Sequence, residues 1–161
     1  MVSYEPVLES YRAADHPAHW TLVTNDHEIR WPAKFTLRAD GEMNPRTWPY
    51  ELALDGSREN LLWLQGPLRG KQIPTVEHLV APGMAIAARG ELNGSAGTVR
   101  WMEVAYEKEG TKWRQRSYWL PVDSDSQYLL RAQGTLDVSG VVFSAADVVA
   151  TSFRPRPGGR D

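Results

Sequence analysis

The chain has 161 residues, the length of one ordinary domain, enough to bury a continuous core without metals or cross-links. Hydrophobic residues at 42% and charged residues at 24% exclude a disordered chain, a collagen-like repeat and a disulfide scaffold. Eighteen Lys plus Arg against twenty Asp plus Glu leave a formal net charge of -2, which argues against nucleic acid as a partner, and the absence of cysteine removes thiolate catalysis and cysteine-held metals.

Near the start, Tyr4, Val7, Leu8 and Tyr11 fall at i, i+3, i+4 and i+7, and Pro6 suits a first helical turn, so the spacing predicts a short amphipathic helix. The N-terminus has neither a basic region nor an apolar run of signal-peptide type, and no apolar stretch reaches the length of a membrane span. The expected location is therefore cytoplasmic. His19 to Thr24 and Glu28 to Arg38 favour strands, interrupted at Asn25-Asp26 and at Pro32, which suggests a sheet edge. A turn-rich stretch from Ala39 to Pro49 leads to a strand from Tyr50 to Leu54, an Asp55-Gly56 turn, and a strand from Leu61 to Gln65 stopped by Gly66-Pro67. After a loop from Gly70 to Pro74, Thr75 is placed to cap a short helix through Ala81, and Met84 to Arg89 reads as another strand.

The clearest element is a hairpin from Thr98 to Leu120. If Glu109-Gly110 is a two-residue turn, Glu107 faces Lys112, Glu103 faces Arg116 and Trp101 faces Tyr118 on one side of the sheet. On the other side, Tyr106 faces Trp113, Val104 faces Gln115, Met102 faces Ser117 and Arg100 faces Trp119. The first side turns charged towards the tip and is expected to be the wetter one. Pro121 closes the strand, a turn over Asp123 to Ser126 follows, and Tyr128 to Gln133 is a third antiparallel strand. Ser144 is expected to cap a closing helix with Asp147 in its first turn and Val148, Val149 and Phe153 as apolar positions. The tail from Arg154 to Asp161, rich in Pro, Gly and Arg, is expected to fray, leaving a single domain over residues 1 to 153. The fold class is α+β: a mostly antiparallel sheet of about six to seven strands flanked by short helices.

Chemical signatures are sparse. His16 and His19 sit beside Asp15, and His27 lies between Asp26 and Glu28, but Pro17 spoils a metal-binding helix face, so the histidines read as solvated loop residues and no metal or cofactor is expected. Glu103 and Glu107 have the proximity of a carboxylate dyad, yet the hairpin register already supplies each with a cation. His78 has no obvious partner, and neither a serine-nucleophile elbow nor a phosphate-binding glycine loop occurs. The anomaly is aromatic: seven tryptophans. Trp113 and Trp119, with Tyr106 and Arg100, read as sheet core, a hot spot for a partner or a sugar-stacking platform. Trp31, Trp48 and Trp63 stand beside proline or glycine-proline turns, where aromatic rings often stay accessible.

The hairpin VRWMEVAYEKEGTKWRQRSYWLP, the strand QYLLRAQ and the closing helix ending in ATSFRP together resemble the PsbP-like superfamily of α/β/α sandwiches, which includes DcrB-like proteins, the EagR secretion chaperones and LpqN-type lipoproteins. The resemblance is carried by the second half of the chain, with Ser152-Phe153 at the helix end its most specific part. It transfers no catalytic residue. It implies a scaffold used to bind proteins or apolar ligands, and hence a non-enzymatic binding protein, adaptor or chaperone, secretion-associated or toxin-neutralising. A module for a small apolar ligand or a carbohydrate is the alternative, and an enzyme with dispersed histidines and carboxylates a third.

Overall fold

A computed structural model of the chain describes residues 7 to 13, 16 to 24, 26 to 38, 50 to 55 and 57 to 156. Among the described residues, eleven strands form two sheets. The smaller has the order β1-β2-β3-β11, from β1 (Val7–Ala13), β2 (His16–Val23), β3 (His27–Pro32) and β11 (Arg154–Pro155). The larger has seven strands in the order β4-β5-β6-β10-β9-β8-β7. These are β4 (Phe35–Arg38), β5 (Tyr50–Leu54), β6 (Leu61–Arg69), β7 (Ala85–Gly94), β8 (Gly97–Lys108), β9 (Thr111–Pro121) and β10 (Ser126–Thr135). Every neighbouring pair is antiparallel.

The β8–β9 register is the one the sequence predicts, from Arg100 opposite Trp119 to Glu107 opposite Lys112. Glu109 (φ 52°) and Gly110 (φ 80°) both take left-handed backbone at the tip. Two consecutive positive φ angles are what a tight hairpin turn with the twist of its strands requires. The third strand of the meander, β10, follows as expected.

The large sheet is covered on both faces. On the inner face, α2 (Ser139–Ser152) and the small sheet lie over it and share one core. Val142, Phe143, Ala145, Ala146, Val149 and Ala150 of α2 meet Leu62, Leu64, Tyr118, Leu120, Tyr128 and Leu130, while Leu22, Ile29 and Trp31 extend the core under the small sheet. On the outer face, the stretch from Ile73 to Met84, including α1 (Val76–Leu79), covers a second cluster of Leu68, Met102, Val104, Trp119 and Leu129. The result is an α+β sandwich, with four further strands in a second sheet beyond the single sheet expected.

Several local expectations change. The N-terminal segment is a strand: Val7 to Tyr11 pair with Val23 to His19 of β2 rather than closing a helical turn. The helical spacing of the apolar residues there is real, but pairing with a neighbouring strand overrides it. β6 does not stop at Gly66-Pro67 but runs on to Arg69, because a bulge in the β6–β10 register between Gln127 and Leu129 absorbs the irregularity. Thr75 does cap α1, its side chain accepting from the His78 N–H, and His78 Nδ1 lies 3.3 Å from the Thr75 N–H, so His78 has a partner. α2 begins five residues before Ser144, which is exposed within it; Val138 occupies the cap and the Ser139 hydroxyl donates to Leu136 O. The triplet Val141-Val142-Phe143 looks like strand but its burial follows the helical period. The start of the tail is paired: Arg154 and Pro155 add to β3 and the Arg156 N–H donates to Asp26 O at 2.7 Å. Among the described residues no helix is long and apolar enough to cross a membrane.

Candidate binding face

Burial divides the aromatic residues first. Trp31 is only 1% exposed, and its indole N–H donates to Phe35 O at 3.0 Å, so it pins the turn between β3 and β4. Trp63 is 6% exposed, packed with Ala53 and Leu61. Trp119 is likewise buried, and its N–H donates to Pro74 O at 3.0 Å, tying the sheet to the segment that crosses its outer face. Proximity to a turn therefore does not leave Trp31 and Trp63 open: the first bonds back to its own turn and the second packs on Ala53 and Leu61. Trp48 lies outside the described residues. Arg100 is exposed, with its guanidinium 5.5 Å from the Trp119 ring centre.

Both sides of the hairpin are largely covered: Met102, Val104, Gln115, Ser117 and Trp119 are buried on one, Glu103 and Tyr118 on the other, which stays exposed at Glu107 and Lys112 as expected. The side with Trp101, Glu103 and Tyr118 lies towards α2, and Tyr118 is fully buried. Its charges are consumed internally. Arg116 gives two hydrogen bonds to Glu103 Oε1 (2.9 and 3.1 Å), and Arg114 reaches Glu103 Oε2 at 3.1 Å. The Arg116 guanidinium lies 4.0 Å from the Trp101 ring and 4.5 Å from that of Phe143, held between the sheet and α2. Tyr118 donates to Asp147 at 2.7 Å. Burial, reinforced by the Asp147 charge, pushes the Tyr118 phenol far above its usual range, so it stays a donor. Glu103 is thus a structural ion-pair partner rather than half of a catalytic dyad.

His27 is not solvated either. It is 1% exposed, with Nε2 2.8 Å from Tyr50 Oη and Nδ1 3.2 Å from Thr24 Oγ1. Burial drives its pKa down to about 3, which keeps the ring neutral. His16 and His19 lie on β2, and among the described residues no three His, Asp or Glu side chains converge as a metal site would need.

Two predicted residues do come together near the surface. Tyr106 and Trp113, half-buried, stack in parallel across the far end of the hairpin, with ring centres 6.4 Å apart and planes 8° from parallel. Both residues also line a groove of about 260 Å³ at this end of the hairpin with Ala105, Glu107, Lys112, Arg114 and Leu136; in the β8–β9 register Ala105, Glu107, Lys112 and Arg114 alternate to the face opposite the Tyr106 and Trp113 rings. Leu136, 46% exposed, adds an apolar side chain to the lining and is held by its N–H donating to Lys112 O.

Sequence reasoning missed Arg131, which joins this face from β10. In the amide orientation that satisfies both side chains, Gln115 accepts from Arg131 Nη2 and, at 3.0 Å, from Nε. The guanidinium also lies 5.5 Å from the Trp63 ring, and among the described residues it forms no salt bridge. Burial lowers its pKa, and Tyr106 acts in the opposite direction. The only signal for it was its place in the alternation of QYLLRAQ, where a charge stands between Leu130 and Ala132.

No protein-family model matches the sequence, and no curated protein matches it. Solved structures do. The chain is similar to LpqN from Mycobacterium tuberculosis, a protein involved in cell envelope biogenesis, with 13% identity and a TM-score of 0.56 over 81% of this chain and 83% of that one. It is also similar to the cyanobacterial PsbP (CyanoP) of Synechocystis, with 10% identity and a TM-score of 0.51 over 92% of each chain. The fold is PsbP-like.

Proposed function

We propose that the protein is a non-enzymatic binding protein of adaptor or chaperone type that holds a protein partner at the far end of the β8–β9 hairpin. The observation that carries this reading is the stacked, half-buried Tyr106–Trp113 pair at the hairpin end, where a groove also lined by the exposed Leu136 and by Glu107, Lys112 and Arg114 opens. Partly exposed aromatic rings at a strand end, with apolar and charged residues close by, are common in interface hot spots. The groove, about 260 Å³, is smaller than the roughly 300–1,000 Å³ of ordinary small-molecule sites, which favours a partner's side chain over a whole ligand. The non-enzymatic reading is supported by where the titratable clusters go: His27 into the core and Glu103 into an arginine pair.

Paired capture tests this. Tagged wild-type protein and a Leu136→Asp/Lys112→Glu variant, both changed at exposed positions, are used as bait in lysate of the source cells. A protein retained by the wild type and lost by the variant supports the reading; equal retention by both baits, or none by either, counts against it.

A further inference from the structure

Among the described residues, strand β7 is an edge of the large sheet, hydrogen-bonded to β8 on one side alone. Such an edge presents unpaired N–H and C=O groups along its free side, a template for another strand. Natural edges are commonly blunted by proline, lysine or short length; β7 spans Ala85–Gly94 and contains neither residue. Its devices are the charges of Arg89 and Glu91 and a bulge between Ile86 and Ala88, which leaves residues 88 to 94 regular.

The regular part is complementary to itself. Run antiparallel against a second copy about Gly90, the sequence Ala88-Arg89-Gly90-Glu91-Leu92 sets Arg89 opposite the partner's Glu91, Glu91 opposite the partner's Arg89, and Ala88 opposite the partner's Leu92. Arg89 and Glu91 are both exposed and project to the same face, being paired in register with Met102 and Arg100 of β8. Neither forms a salt bridge among the described residues, although Glu77 lies close enough to Arg89 to feel its charge and Arg100 stands opposite Glu91. At the axis, Gly90 has no side chain because the Trp101 ring lies over it: a Cβ there would fall 2.5 Å from the ring.

We propose that two copies of this chain pair through β7 about a two-fold axis at Gly90, joining their seven-stranded sheets into one continuous sheet with two symmetry-related Arg89–Glu91 pairs across the junction. A closed two-fold contact uses the same patch on both subunits, as this register does. Opposite charges directly across an antiparallel pair stabilise it, and like charges weaken it.

Analytical ultracentrifugation over a range of protein concentrations tests the proposal without any other partner. The wild type is expected to dimerise. Arg89→Glu alone sets glutamate against glutamate twice, and Glu91→Arg alone sets arginine against arginine twice; each is expected to raise the dimer dissociation constant about tenfold or more. The double variant Arg89→Glu/Glu91→Arg restores opposite charges and is expected to recover wild-type association to within about threefold. Near-UV circular dichroism checks that all four proteins are folded. A wild type that stays monomeric up to about 1 mM, single variants that dimerise as well as wild type, or a double variant that fails to recover would each overturn it.

Discussion

His27 is the residue whose chemistry is most altered by the fold. In the unfolded chain it titrates near 6.5, and in the folded core only at about 3. Between those values the unfolded state binds a proton that the native state refuses, so stability is complete above about pH 6.5 and declines as the pH falls towards 3. A loss of roughly 1 kcal/mol per pH unit is expected from this group, read as denaturant midpoints across that window. His27→Phe, which keeps an aromatic ring beside Tyr128 and Phe153, should lower stability at neutral pH yet flatten the slope. An unchanged slope in that variant would show that other groups set it. Arg116 is the second such residue. Arg116→Leu keeps bulk between Trp101 and Phe143 but strips Glu103 of one of its two arginines, and is expected to cost about 2 kcal/mol in equilibrium unfolding.

Among the elements, the segment from Ile73 to Met84 depends on a few anchors: a four-residue helix capped by Thr75, apolar contacts to the sheet, and the Trp119 N–H bond to Pro74. Trp119→Phe keeps much of the ring and removes that bond. It should cost about 1 kcal/mol and speed amide hydrogen exchange in residues 75 to 80 more than in β8 to β10; uniform acceleration would refute the anchoring role. Elements differed in how far they could be read in advance. The β8–β9 register was legible because three signals agree: turn residues at Glu109-Gly110, opposite charges at Glu103 and Arg116, and alternation along both strands. The N-terminal strand was not, since the apolar residues of VLESYRA follow helical spacing and only the pairing with β2 makes it a strand. The start of α2 was hidden because its cap is Val138, which has no side-chain acceptor, while Ser144 looked like a cap.

For the molecule as a whole, the PsbP-like sandwich buries most of what the sequence offers as exposed aromatic surface. Trp31 and Trp63 were candidates by the turns beside them and Trp119 by its hairpin face, and each is closed off by contacts that the sequence does not reveal. Tyr106 and Trp113 stay half-buried because they sit at the far end of the hairpin, where Tyr106 packs at the rim of the outer cluster that the Ile73 to Met84 segment covers. Arg131 had only its place in the alternation of QYLLRAQ as a signal, because its position beside Trp63 and Gln115 depends on the β6–β10–β9 order. The central claim is that a protein partner docks at this hairpin end. The direct measurement is in-cell photo-crosslinking, with a photoreactive amino acid placed in turn at Leu136, at Lys112 and at the exposed control position Lys71. The account predicts that Leu136 and Lys112 crosslink to the same protein while Lys71 does not; crosslinking of equal yield at Lys71, or none at Leu136 and Lys112, would contradict it.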